Sequence, residues 1–134
     1  PWGGYEPYSP AAWSCGGPDP WGMCFRECVS YAAWKVWNDG KYMPNWGGRG
    51  NAYQWIQNAR NAGFQVDRSP SAGDIAIRDR NYSNPYDVGH AMYVEAVYGD
   101  GTIAISQYNA RLSGEYSTAR KSTSGLWFIT FPAR

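Results

Sequence analysis

The stretch His90-Ala91-Met92-Tyr93-Val94-Glu95-Ala96-Val97-Tyr98-Gly99-Asp100-Gly101-Thr102-Ile103-Ala104-Ile105-Ser106-Gln107 is two β-forming runs joined by an aspartate between glycines. Valine, isoleucine and tyrosine fit a half-buried pleated surface, and Asp-Gly suits a two-residue hairpin turn. Such a turn predicts that Gly99 pairs with Thr102, which sets Met92 opposite Asn109 and Val94 opposite Gln107. Strand side chains alternate, so His90 shares a face with Met92 and Val94. Asn109 is then its diagonal neighbour, roughly 7–8 Å away between backbones. A three-residue loop would shift the register by one and move Asn109 to the opposite face.

Around this hairpin the chain divides by period. Residues 25–37 carry Val29, Ala32, Ala33 and Val36 at helical spacing and stop at Asn38-Asp39-Gly40. A second helix starts at Asn51, with Gln54 placed to complete a capping box, runs through Ala52, Trp55, Ile56 and Ala59, and ends at Gly63. Between them, residues 41–50 hold Pro44 and three glycines and read as a loop. Strands are predicted over residues 75–77, 90–98, 102–107 and 127–131. Helices first and an antiparallel meander afterwards give an α+β domain with the helices packed on the sheet. Residues 1–22, with five prolines, read as an irregular leader, and residues 23–134 as the working domain.

At 134 residues one domain with its own core is expected, and a monomer. The net charge of +1 gives no basic field for nucleic acid. Nor does any apolar run reach the 18 or so residues of a membrane span. The chain opens on Pro1 without a charged-then-apolar leader, which suggests a processed form or a piece of a longer protein. Aromatic residues make up 17% of the chain, with 8 Trp and 11 Tyr. Their first use is packing; a secondary one is a groove that stacks on sugar or peptide.

Three cysteines suggest one bridge and one free thiol. Cys15 and Cys24 flank a Gly-Pro-rich loop, so a Cys15–Cys24 disulfide is expected, and with it an oxidising compartment. Cys28 remains at the start of the first helix, where free N–H groups and the positive end of the macrodipole favour a thiolate and can hold an oxyanion. A lowered thiol pKa, and alkylation faster than that of a model thiol, follow. The chain has a single histidine, His90, so a Cys–His mechanism has one possible base. An amide accepting from its ring fixes the tautomer; Asn109 is the first choice and Gln107 the second. Activity would then peak between two pH limits, set by loss of the thiolate in acid and of the imidazolium in base. A zinc site from Cys15, Cys24, Cys28 and His90 lacks paired C-x-x-C spacing, and Asp79 and Asp87 fit no dedicated calcium loop, so no cofactor or metal is expected.

The run Glu27-Cys28-Val29-Ser30-Tyr31, then Pro70-Ser71-Ala72-Gly73-Asp74-Ile75-Ala76-Ile77, then Gly89-His90-Ala91-Met92-Tyr93-Val94-Glu95, then Asp100-Gly101-Thr102-Ile103 and Ile105-Ser106-Gln107-Tyr108-Asn109 resembles the CHAP domain family. The resemblance implies a papain-like fold of the NlpC/P60 kind and a secreted or wall-associated enzyme. It also implies cleavage of an amide bond in bacterial peptidoglycan, as an endopeptidase or an N-acetylmuramoyl-L-alanine amidase. It places the family's nucleophile on Cys28, its base on His90 and its orienting residue on Asn109. Two positions depart from the pattern: Gln107 stands where many members have Glu, and Glu27 where many have Gln. Pro20-Trp21-Gly22-Met23-Cys24 offers a second register with Cys24 as nucleophile, which the helix pattern beginning after Cys28 disfavours. The competing reading is an inactive wall-binding module that stacks on its substrate through Trp13, Trp21, Trp46, Trp55 and Trp127. Residues 41–50 and 79–87 are expected to border the groove.

Overall fold

The computed structural model describes residues 19–23, 27–108 and 116–134. Among the described residues two helices, α1 (Cys28–Asn38) and α2 (Ala52–Asn61), precede six strands: β1 (Gln65–Asp67), β2 (Ile75–Arg78), β3 (His90–Val97), β4 (Thr102–Tyr108), β5 (Tyr116–Ser122) and β6 (Leu126–Thr130). These strands pair antiparallel in one sheet of order β1-β6-β2-β3-β4-β5. Strands β2 to β5 form a meander, of which β2, β3 and β4 were expected from the sequence and β5 was not. The last strand departs from it, crossing back to insert between β1 and β2, which encloses β2 on both sides. The fold is α+β, as the sequence indicates.

Each helix forms for the reason its sequence suggests. In α2 the buried residues Ala52, Trp55, Ile56 and Ala59 lie on one stripe. Gln54 Oε1 accepts from the Asn51 N–H at 3.1 Å, one half of a capping box. Helix α1 is buried over most of its circumference, including Cys28, Ser30, Tyr31, Ala33 and Val36. It packs on β3 and β4, whereas α2 packs on β1 and β2. The main core between helices and sheet contains Trp46, Trp55 and Phe131, with Trp46 set edge-on to Trp55 at 5.3 Å between ring centres. A smaller cluster of Ala76, Met92, Val94, Ile103, Ile105, Leu126 and Phe128 forms a second core.

The hairpin differs from expectation in two ways that compensate. Its connection is a three-residue loop, closed by Tyr98 N–H to Thr102 O at 3.0 Å, because the Asp100 carboxylate bonds forward to the Thr102 N–H at 3.1 Å and Gly101 takes φ +82°. A bulge between Val94 and Ala96 then slips the pairing once more. Val94 therefore faces Ile105 instead of Gln107, two residues from the predicted partner. A slip of two preserves which face each side chain occupies. His90, Met92 and Val94 still share a face with Ile105 and Gln107.

Candidate active site

Helix α1 begins at Cys28, with Glu27 as its N-cap in an extended conformation and no side-chain cap hydrogen bond. The thiol is buried and accepts a long hydrogen bond, 3.5 Å, from the N–H of Ala91. The sulfur thus sits against the peptide unit that joins His90 to Ala91. Burial pushes the Cys28 thiol up to about 11; the N–H groups of Ala91 and Val29 and the guanidinium of Arg78 oppose the rise, and the Glu27 carboxylate adds to it. This reverses the expectation of a lowered pKa. Desolvation at this position outweighs the helix terminus.

His90 opens β3, and Gly89 before it takes φ +78° in a place where a Cβ would lie 2.7 Å from the Arg78 carbonyl oxygen. Only glycine fits this approach. The imidazole Nε2 lies 2.9 Å from Gln107 Oε1, the second of the two amides considered. Asn109 lies outside the described residues. Burial lowers the pKa of His90; Gln107 opposes this, and the charges of Arg78 and Lys121 reinforce it. Gln107 is itself buried, and its Nε2 donates to Ser117 Oγ at 3.2 Å. The thiol and the imidazole form no hydrogen bond with each other. With one pKa raised and the other lowered, the pair rests as neutral thiol and neutral imidazole.

Two positions were not singled out from the sequence. Arg78 is the cross-strand partner of His90. It makes a bidentate ion pair with Asp87 at 3.0 and 3.1 Å, and Asp87 also accepts the N–H groups of Asn81 and Gly89. These bonds hold the Asp87 carboxyl far below its ordinary range. Asp87 thereby ties residues 79–89 to the strand beside the imidazole, while Asp79 accepts from the Arg80 N–H. An arginine directly after an apolar strand, with an Asp-x-Gly-His run following, was the available signal. Ser117 carried none, since it lies on a strand with no apolar alternation.

Beside the N-terminus of α1 a cavity of about 200 Å³ is lined by Met23, Val29, Gly48, Gly50 and Gln54, while Cys28 and His90 are not part of its lining. Trp46 and Trp55 are 2% and 0% exposed and belong to the core, which removes them from any stacking surface. Trp21 is also buried, and Trp127 lies under the guanidinium groups of Arg60 and Arg68. Trp13, Cys15 and Cys24, and with them the expected bridge, lie outside the described residues.

The molecule is an α+β domain in which a cysteine opens a helix against an antiparallel sheet and a histidine pairs with an amide on the adjoining strand. The profile of the CHAP domain matches residues 18–109, and the chain belongs to that family. It is 41% identical over 73 residues to the Staphylococcus aureus (strain NCTC 8325 / PS 47) protein named "Probable autolysin SsaALP", a match covering 54% of this chain and 21% of that protein. To the N-acetylmuramoyl-L-alanine amidase sle1 of S. aureus (strain USA300) it is 39% identical over 59 residues, 44% of this chain and 16% of the other. The chain thus spans about a fifth or less of these relatives. Among solved structures, an N-acetylmuramoyl-L-alanine amidase from S. aureus superposes with a TM-score of 0.69 at 24% identity, over 78% of this chain and 30% of that one. Ly7917, determined with the hydrolysis product of MDP, gives 0.59 at 23% identity, over 80% and 54%. These structural likenesses establish the shared fold.

Proposed function

We propose that this domain hydrolyses an amide bond of bacterial peptidoglycan by cysteine nucleophilic catalysis, with Cys28 attacking and His90 moving the proton. The observation that carries this reading is the His90 Nε2 to Gln107 Oε1 contact of 2.9 Å beside a cysteine at the first residue of a helix. An Nε2–H donated to Gln107 leaves Nδ1 with the lone pair. Nδ1 takes the thiol proton as sulfur bonds to the carbonyl carbon, and N–H groups of the first turn of α1 receive the oxyanion. The imidazolium returns the proton to the departing amine as the C–N bond breaks. Water, deprotonated by His90, then cleaves the thioester. Gln107, supported or joined by Asn109, accepts from the ring throughout.

The names of the S. aureus relatives, an autolysin and amidases, support the wall as substrate and an extracellular or wall-associated setting. A Cys15–Cys24 disulfide closing the segment before α1 belongs to the same proposal, as do residues 1–22 as a leader, residues 23–134 as the catalytic unit, and action as a monomer. Mass spectrometry of fragments released from purified peptidoglycan tests the whole reading: wild type should release new amino termini, and Cys28→Ala should not. The Cys15→Ser, Cys24→Ser double variant should still turn over. Fragment release that survives in Cys28→Ala would transfer the role to another residue.

A further inference from the structure

We infer that Ser117 is a positioning residue that selects the working tautomer of His90 by fixing which end of the Gln107 amide faces the ring. This rests on the reading of His90 as the base.

A carboxylate presents acceptor oxygens in either orientation, whereas a glutamine side chain has two different ends. Turned one way, Gln107 offers Oε1 to the imidazole. The ring then carries its proton on Nε2, and Nδ1 keeps the lone pair. Turned the other way, Gln107 offers its NH2 group, Nε2 must hold the lone pair, and the proton moves to Nδ1. A ring protonated on Nδ1 has no free nitrogen for the thiol, and the imidazolium formed during attack would face an N–H donor in place of an acceptor. The choice between the two ends therefore decides whether the base exists.

Ser117 is the cross-strand partner of Gln107, on the edge strand β5. Its Oγ lies 3.2 Å from Gln107 Nε2 while Oε1 lies 2.9 Å from His90 Nε2, a chain of two bonds running from β5 through β4 to β3. Gln107 is 6% exposed, so water is a poor substitute acceptor for its NH2 group. In the arrangement present, Ser117 Oγ accepts from that NH2 group and the carbonyl end meets the ring. The device is needed because Gln occupies a position where a carboxylate would need no orientation.

The chain contains one histidine, so nitrogen-15 NMR of the imidazole reports the tautomer of His90 without ambiguity. Wild type is expected to show the Nε2–H form. Ser117→Ala should gain the Nδ1–H form and lose about five- to tenfold in kcat with KM little changed, the loss expected for one modest hydrogen bond acting on the chemical step. Ser117→Thr, which keeps the hydroxyl, should restore both signals. In a Gln107→Glu background, Ser117→Ala should cost less than about twofold. An unchanged tautomer in folded Ser117→Ala, or an equal loss in the wild-type and Gln107→Glu backgrounds, overturns the proposal. The NMR readout needs no turnover, so it stands apart from the functional reading. That reading fails separately if His90→Ala remains active.

Discussion

The two helices of this domain begin differently. At α2, Asn51 and Gln54 close on each other, and the Tyr53 N–H is taken by the Val88 carbonyl oxygen at 3.1 Å. At α1, Glu27 occupies the N-cap without a side-chain cap bond, and the residue that follows is the buried cysteine. An uncapped first turn forgoes about 0.5–2 kcal/mol of stability. The difference is informative: α2 closes its first turn with a side-chain amide and a loop carbonyl, while in α1 the Ser30 and Tyr31 N–H groups return to the Glu27 carbonyl oxygen and the Val29 N–H lies toward the Cys28 sulfur. Helix α1 tolerates this because tertiary burial, from Val29 through Val36, supports it in place of a cap.

The strongest test of that contrast is at the base. His90→Ala should lower kcat/KM about 10²–10⁴-fold with the fold intact, measured by release of amino groups from peptidoglycan. A loss within tenfold would mean that α1 carries a nucleophile needing no base.

The pH dependence is next in size. Because burial raises Cys28 to about 11 and lowers His90 below its ordinary 6.5, kcat/KM should fall in acid only below about pH 6.5, as the imidazole gains a proton. It should fall in base only near 11, as the thiol loses one. These limits exchange the roles expected from a thiolate–imidazolium pair, although both descriptions bind the same number of protons. Iodoacetamide should accordingly modify Cys28 more slowly than a model thiol at pH 7, the reverse of what the helix terminus alone suggests. A faster reaction would show that the dipole of α1 overcomes desolvation after all.

The smallest effect concerns the caps themselves. Gln54→Ala should cost about 0.5–1 kcal/mol in chemical denaturation. Glu27→Asp, which keeps the charge and supplies a shorter cap, should add stability of similar size and slow turnover by occupying an N–H group. If both variants changed stability alone, the two helix starts would be equivalent.

Local chemistry was legible in the sequence, and long-range pairing was not. Both helices follow from apolar period and caps, and β2, β3, β4 and β6 from runs of β-branched residues. Strand β1 is only Gln65–Asp67, and β5 reads Tyr-Ser-Thr-Ala-Arg-Lys-Ser, polar because both strands are sheet edges. The insertion of β6 beside β2 depends on pairings far apart in sequence, which no local pattern records. The hairpin shows how a detail can be missed while its consequence survives. Asp100 capturing Thr102 lengthened the loop and the bulge at Glu95 added a second slip, yet His90 and Gln107 remained on one face. Cys28 and His90 were singled out from residue type and position, and the structure sets the Cys28 sulfur against the Ala91 N–H that follows His90. Their charge state was not legible, since desolvation is a property of the packed molecule.

The deep, protonated thiol also governs how this domain ages. Oxidation to sulfenic acid proceeds through the thiolate and requires access to the sulfur. With its pKa near 11, on the order of one Cys28 in 10⁴ is ionised at pH 7, and the group is 9% exposed. Peroxide therefore meets a poor target. A thiol kept neutral and covered in this way is slow to oxidise wherever the domain works.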